Sequence, residues 1–279
     1  MPVPCDLCGG GRFAPFLSCQ GFSYVKCAGC GLAQMNPQPV AASVRLRYGD
    51  DYLAYELENE DNFLNLQKLG LGDAGFGEIE RGLFARGGDP PRVLDVGCAT
   101  GALLGFLRGR GWQATGADIS PSAEHAREKR GLDVRGMPVE DCGFPGGHFD
   151  AVLASHLIEH LNSPRAFVRE VMRILRPGGH FIVTTPNSGG FQARLFRGHW
   201  RCAIFDHLYL FSKRTIKALL AAEGFAIERV RTWGGLAAGT APPPVKRLAD
   251  RAAKSFGFGD VVLVRARKAA SPIISAENP

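Results

Sequence analysis

From about residue 91 the apolar positions come in two alternating patterns. Val93, Leu94 and Val96 make a short apolar run with the character of a buried strand. Gly97 to Gly101 reads as a tight turn. From Ala102 to Arg110 the positions Leu103, Leu104, Phe106 and Leu107 recur with helical spacing. The same strand-then-helix rhythm continues, with strands expected near 92–96, 113–118, 132–136, 149–154, 179–185, 225–232 and 260–267. Such alternation calls for an α/β fold, a mostly parallel sheet with helices on both faces. Pro177-Gly178-Gly179 reads as a helix stop followed directly by a strand. Upstream, Gly87 to Pro91 punctuates the chain after a polar, helical stretch from Val44 to Phe84. The expected organisation is a small module over 1–40, a helical cap or linker over 41–90, the α/β domain over 91–269 and a loose tail over 270–279.

The glycine turn carries chemistry as well as shape. Gly97 and Gly101 leave room for backbone to approach a ligand, where a β-carbon would intrude. Asp118 ends the next apolar stretch, the place from which a carboxylate can take both hydroxyls of a ribose. Dinucleotide-binding domains use a similar loop. Asp95, two residues before the first glycine, argues against them, because it would repel a pyrophosphate yet suits a cationic amino-acid group. A ligand with an ammonium at one end and a ribose at the other is S-adenosylmethionine (SAM).

Further blocks follow in order: MPVEDCGF, FDAVLASHLIEHL, RILRPGGHFIVTTPN and DHLYLFSKRTIKALLAAEGF. With them, residues Pro91 to Arg267 resemble the class I SAM-dependent methyltransferases. The resemblance implies a seven-stranded Rossmann-like sheet in the order 3-2-1-4-5-7-6, its last strand antiparallel. It implies cofactor contacts from Asp95, Gly97, Cys98, Gly101, Asp118, Ile119, Asp141, Cys142 and Ser155, with Asp141 meeting the adenine amino group. One departure is Ala99, where the family's G-x-G-x-G has its middle glycine.

Eight cysteines bring in a metal. Cys5-x-x-Cys8-Gly and Cys27-x-x-Cys30-Gly are two knuckles whose spacing suits one tetrahedral zinc with four thiolates. A full coordination sphere leaves no place for water, so this zinc is expected to be structural. A redox pair is the competing reading, and Cys19 an alternative ligand. Zinc ribbons often touch nucleic acid, but only Arg12 and Lys26 lie between these knuckles, too little charge for strong phosphate binding. Phe13, Phe16, Phe22 and Tyr24 are better explained by packing the module or docking it to the main domain. The string CGLAQMNPQP resembles bacterial stand-alone methyltransferases that carry such a ribbon, many of which tailor sugars, glycans or secondary metabolites.

Net charge is +6, with 15 Lys or Arg against 5 Asp or Glu between Phe191 and Lys268. That half is either a solvated basic face or the approach for an anionic substrate, such as a nucleotide sugar, phospholipid or nucleic acid. Two basic amphipathic stretches, Arg194–Arg201 and Val245–Phe256, can lie on a membrane or bind such a substrate; a core-facing helix or lid is the preferred reading. Tyr48, Tyr52 and Tyr55 precede the acidic Glu56, Glu58, Glu60 and Asp61, in a segment that covers the cofactor in related enzymes. With no run of about 18 apolar residues and no signal-like N-terminus, the chain is expected to be soluble and cytoplasmic. Nothing in the sequence sets its oligomeric state.

His156, Glu159 and His160 lie three and four residues apart, so one helical turn presents them together. H-x-x-E-H matches an inverted zinc-protease motif, which its place after a sheet strand discounts. It resembles more closely the E-x-x-E-H stretch that holds magnesium in quinone and small-RNA O-methyltransferases. His156 at the first Glu position makes magnesium less suitable. His207 is the fourth candidate. Metal-free general-base catalysis is preferred, with His160 or His156 taking a proton and Glu159 orienting an imidazole. A second divalent metal on His156, Glu159, His160 and His207 is the less favoured alternative. The expected activity is methyl transfer from SAM to a small-molecule or glycan-precursor acceptor, at a hydroxyl oxygen. An RNA methyltransferase is the runner-up, although Thr185-Pro186-Asn187 is no Asn-Pro-Pro-Tyr signature; a non-catalytic SAM-binding scaffold is the third reading.

Overall fold

A computed structural model describes residues 3–19, 21–39, 50–235 and 242–270. Tyr48 and residues 271–279 of the expected tail lie outside the described residues. The chain opens with β1 (Phe13–Cys19), β2 (Phe22–Cys27) and β3 (Ala33–Met35), then α1 (Asp50–Glu58), α2 (Glu60–Ala74) and α3 (Phe76–Phe84). The α/β part follows as β4 (Arg92–Val96), α4 (Ala102–Gly109), β5 (Gln113–Ala117), α5 (Ser122–Arg130), β6 (Asp133–Arg135) and β7 (Phe149–Ser155). It continues as α6 (Pro164–Ile174), β8 (Leu175–Pro186), α7 (Phe191–Phe196), β9 (Tyr209–Leu210), α8 (Lys213–Ala222), β10 (Phe225–Trp233), α9 (Pro243–Phe256) and β11 (Val261–Lys268).

The large sheet has the order β6-β5-β4-β7-β8-β11-β10. The pairs from β6 to β8 are parallel, and β11 runs antiparallel to both β8 and β10. Counted from β4, this is the order 3-2-1-4-5-7-6 that the resemblance implied. Strand alternation feeds both faces. Val93, Ala151, Leu153, Ile182 and Leu263 pack in the core beneath α3, α4 and α5. Their neighbours Leu94, Val152, Ala154, Phe181 and Val264 pack on the other side, with Phe167 and Val171 of α6 and Ile216 and Leu219 of α8.

That second core does not stop at the domain. It continues without a break into Cys5, Leu7, Leu17, Tyr24, Leu32 and Met35 of the N-terminal module. The module's sheet is β1-β2-β3-β9, so its fourth strand comes from the far end of the chain, with Ala33 opposite Leu210 and Gln34 opposite Tyr209.

Two expectations are corrected. Pro177-Gly178-Gly179 is not a helix stop: α6 already ends at Ile174, and these residues lie inside β8. Phe149 pairs with Leu175 and Ala151 with His180, so the segment bulges out of the ladder, with Gly178 at φ 78°. The stripe on α9 does not face the core. Val245, Leu248 and Phe256 are 51%, 69% and 75% exposed, and only Ala253 of that helix is buried. In the other basic stretch Trp200 is buried, donating from Nε1 to Asp260, while Leu195 and Phe196 stay exposed.

Candidate active site

The expected cofactor positions fall at the carboxyl ends of β4, β5 and β7 or in the segments that follow β4, β5 and β6. The backbone turns out of β4 through Gly97 (φ 74°), Ala99 (φ 50°) and Gly101 (φ 79°), all left-handed. Ala99 therefore occupies, at a steric cost, a conformation that glycine adopts freely. A β-carbon on Gly101 would lie 2.5 Å from Leu132 Cδ1, and one on Gly97 3.3 Å from Leu157 Cδ1. The space these glycines keep open is thus claimed by protein side chains, not by a ligand alone. Asp118 braces the loop from the next strand, accepting from the Ala99 amide (2.9 Å), the Ser120 amide (2.8 Å) and Ser120 Oγ (2.6 Å).

Asp95 is fully buried, and neither of its oxygens has a hydrogen-bond partner. Burial first, and then the charge of Asp118, push its carboxyl up to about 8. The cap helices add more carboxylates. Glu56 of α1 accepts from Ser122 Oγ, and Glu60 of α2 from Thr100 Oγ1 and Arg130. Burial raises Glu56 above the usual carboxylate range, Ser122 opposes that, and Asp118 adds to it. Asp95, Asp118 and Glu56 therefore gather three carboxyl groups around one glycine loop, with an orphaned one among them. These residues fit a cationic ligand such as SAM, whose ammonium would supply what Asp95 lacks.

The other positions are less engaged. Cys98 turns its thiol into the body of the sheet, close against Gly116. Ile119 is 45% exposed at the rim. Asp141 is exposed in a 3₁₀ turn over Val139–Asp141, and the Cys142 thiol donates to the Pro138 carbonyl at 3.3 Å. Ser155 Oγ shares a hydrogen bond with Thr184 Oγ1 at 3.0 Å.

Beyond β7 the chain passes through His156, left-handed at φ 51°, into a 3₁₀ turn over Ile158–His160. Glu159 is buried, and its Oε2 accepts from Thr185 Oγ1 at 3.0 Å. Its Oε1 lies 3.3 Å from His156 Nδ1 without the alignment of a hydrogen bond. His160 Nδ1 sits 2.9 Å from the Asp206 carbonyl and His207 Nδ1 2.8 Å from the Cys202 carbonyl. A carbonyl only accepts, so both imidazoles are held with the proton on Nδ1, leaving Nε2 basic. The two rings meet edge to face at 4.7 Å.

One ligand atom from each of Glu159, His160 and His207 lies within 4.8 Å of the others. Burial pushes Glu159 up, but the His156 contact and the charges that the three imidazoles carry when protonated overcome it and bring the carboxyl down to about 2. Burial lowers His160, against the pull of Glu159, and lowers His207 to about 4. At neutral pH the cluster is an anionic carboxylate beside neutral imidazoles. His156 stays at the rim, its side chain 47% exposed. Thr185 and the carbonyls of Cys202 and Asp206 also shape this cluster, and no sequence motif announced them; Glu56 lies in the segment expected to cover the cofactor.

In the N-terminal module Cys5 Sγ lies 3.4 Å from Cys30 Sγ, and Cys8 Sγ 3.5 Å from Cys27 Sγ. All four thiols converge, while Cys19 ends β1 outside the group. Gly9 and Gly31 take the positive φ that the knuckles require. Zinc–sulfur bonds near 2.3 Å put tetrahedral sulfurs about 3.8 Å apart, so the cluster fits a zinc ion with a small expansion.

A family profile described as a methyltransferase domain matches residues 76–230, more than half of the chain. The chain belongs to that family and is a class I SAM-dependent methyltransferase. A ubiquinone biosynthesis O-methyltransferase of Xanthomonas oryzae pv. oryzae is 37% identical over 103 residues, 34% of this chain and 43% of that protein. One from Alkalilimnicola ehrlichii is 34% identical over 103 residues, 34% of this chain and 42% of its own length. The chain thus spans less than half the length of these relatives. In fold it is similar to a SAM-dependent methyltransferase from Archaeoglobus fulgidus, with a TM-score of 0.54 at 20% identity, covering 77% of this chain and 99% of that one. A SAM-dependent methyltransferase from Mesorhizobium loti gives 0.50 at 22% identity, covering 67% and 96%.

Proposed function

We propose that this enzyme methylates a hydroxyl oxygen of a small molecule, with Asp95, Gly97, Cys98, Gly101, Asp118, Ile119, Asp141, Cys142 and Ser155 around SAM. SAM, when bound, supplies an electrophilic methyl on a sulfonium, and its displacement in line consumes a positive charge. The protein's part is to orient the acceptor and take its proton. The observation that carries this reading is the convergence of Glu159, His160 and His207, with both imidazoles pinned so that Nε2 is the basic atom. His160, less buried than His207, takes the acceptor proton. Glu159 stabilises the imidazolium so formed, and Thr185 holds Glu159 in place. His156, half exposed at the rim, lines the acceptor's entry. That the relatives are ubiquinone biosynthesis O-methyltransferases supports oxygen as the acceptor atom and a small molecule over a glycan or RNA. We take 1–40 as a zinc ribbon on Cys5, Cys8, Cys27 and Cys30, 41–90 as the cap, and 91–269 as the methyltransferase domain. Among the described residues no helix is long and apolar enough to cross a membrane.

His160→Ala should lower methyl transfer by about two to four orders of magnitude with SAM affinity nearly intact. A labelled-methyl screen over small phenols, nucleotide sugars, lipid extracts and RNA supplies the acceptor, and near-normal turnover by the variant would remove the base assignment. One observation favours a second reading. Glu159 Oε1 has no hydrogen-bond partner and faces two imidazoles, a carboxylate and two nitrogens suited to a divalent ion softer than magnesium. Loss of activity in EDTA that manganese restores, with the zinc content of the Cys5–Cys8–Cys27–Cys30 cluster unchanged, selects that reading over the metal-free base.

A further inference from the structure

The turn from Ile204 to His207 serves both imidazoles. It carries His207 itself, and its Asp206 carbonyl fixes His160. The side chain that anchors this turn comes from the N-terminal ribbon. Tyr24, 1% exposed, places its hydroxyl 2.7 Å from the Ile204 carbonyl and 2.8 Å from the His207 carbonyl, so one proton is shared between the two ends of the turn. The ribbon also grips the other side of the cluster. Asp6, inside the first knuckle, accepts from Ser163 Oγ (2.9 Å) and the Arg165 amide (2.7 Å) where α6 begins, just after His160. Between these two grips the Met35 amide donates to Leu208, and the Leu208 amide to the Glu159 carbonyl, both at 2.8 Å.

We propose that Tyr24 is a positioning residue for His207 and His160, and that the ribbon is the fixed wall against which the acceptor site is built. This rests on the reading of Glu159, His160 and His207 as that site. The ribbon contributes no group to the chemistry. It acts through the hydroxyl of Tyr24, not through the bulk of its ring, which packs edge to face on Phe22 and would do so equally well as phenylalanine.

The test is Tyr24→Phe in the full chain, read by long-range ¹⁵N correlation spectra of the histidine rings, with His160 and His207 assigned from Gln variants. The unaltered protein should show both rings with the proton fixed on Nδ1. In Tyr24→Phe the His207 signals should move toward exchange between tautomers, and the His160 signals with them, while SAM affinity by calorimetry stays unchanged. Turnover with an acceptor from the labelled-methyl screen should fall about tenfold in kcat, the scale of a small misplacement, with KM for SAM unmoved. Tyr209→Phe is the control, since Tyr209 also donates a buried hydroxyl, but to Asn162. It should leave the His207 signals in place. Unchanged ring signals in Tyr24→Phe, or an equal change in Tyr209→Phe, would overturn the proposal. Moved ring signals with undiminished kcat would uphold Tyr24 as a positioning residue and instead sink the role of this cluster in the reaction.

Discussion

Asp95→Asn should make the protein more stable and a poorer binder of SAM. Asp95 is fully buried, its carboxyl raised from 3.8 to about 8, and its oxygens have no partner. At pH 7 the folded, ligand-free chain therefore keeps a proton that the unfolded chain gives up. At about 1.4 kcal/mol per pH unit, that difference favours unfolding by about 4 kcal/mol. Asparagine removes the titration but buries an unpartnered amide, which costs about 1–3 kcal/mol. The variant should come out about 1–3 kcal/mol more stable at pH 7. Because the folded value is the raised one, the wild type's deficit grows as pH rises from about 4 toward 8 and vanishes below. The gain in urea unfolding must accordingly shrink by about 1.4 kcal/mol per pH unit below pH 7, reach zero between about pH 6 and 5, and reverse near pH 4, where only the cost of the buried amide remains. SAM should bind the variant about tenfold to a hundredfold more weakly, the scale of a hydrogen bond to a charged group. In the wild type its binding should release close to one proton, measurable by calorimetry in buffers of different ionisation enthalpy. A stability difference that does not change with pH, or SAM binding with no proton release, would refute the reasoning.

Three further outcomes are expected. Asp118→Ala should weaken SAM by about 1.5–3 kcal/mol in calorimetry, since the carboxylate ties the Ala99 amide and is the group proposed to take the ribose hydroxyls; unchanged affinity removes it from the site. Ala99→Gly should raise stability by about 0.5–1 kcal/mol in urea unfolding, the left-handed penalty less glycine's extra chain entropy. A loss of stability would show that the backbone at φ 50° is not strained. Cys27→Ser should break the four-thiol cluster proposed to hold zinc, lowering the zinc content and the melting temperature of the whole protein, because the ribbon shares its core with the sheet. A variant that loses the metal but melts like wild type would show that the two fold separately.

The β4–turn–α4 unit was legible because strand and helix periods change abruptly across Gly97 to Gly101. The two knuckles were legible because four sulfurs on one ion demand a fixed local spacing. Local signals failed where a distant partner decides. Pro177-Gly178-Gly179 says that the backbone turns, but not whether it ends a helix or bulges from a strand; Leu175 had already joined β8. The stripe on α9 has a helical period, and a period names a face without naming what covers it. Spacing grouped His156 with Glu159 and His160 as one helical turn. The chain instead enters through a left-handed His156, leaves it at the rim, and takes its second buried imidazole, His207, from beyond β8. Tyr24 read as packing the ribbon or docking it to the main domain, but the particular hydroxyl contacts with residues 204 and 207 leave no trace in the sequence around it.

The pairing of β3 with β9 also sets a timetable for synthesis. Residues 33–35 leave the ribosome early, and residues 209–210 only after β4 to β8 have been made. At roughly 5–20 residues per second, β3 waits on the order of ten to thirty seconds with its outer edge open. Each knuckle closes locally through short backbone bonds such as Gly9 to Cys5 and Gly31 to Cys27, so the ribbon can begin first and still finish late. In that interval its bare edge is a template for another nascent chain. Fast translation through the parallel sheet shortens this exposure, and slow codons placed before residue 209 prolong it.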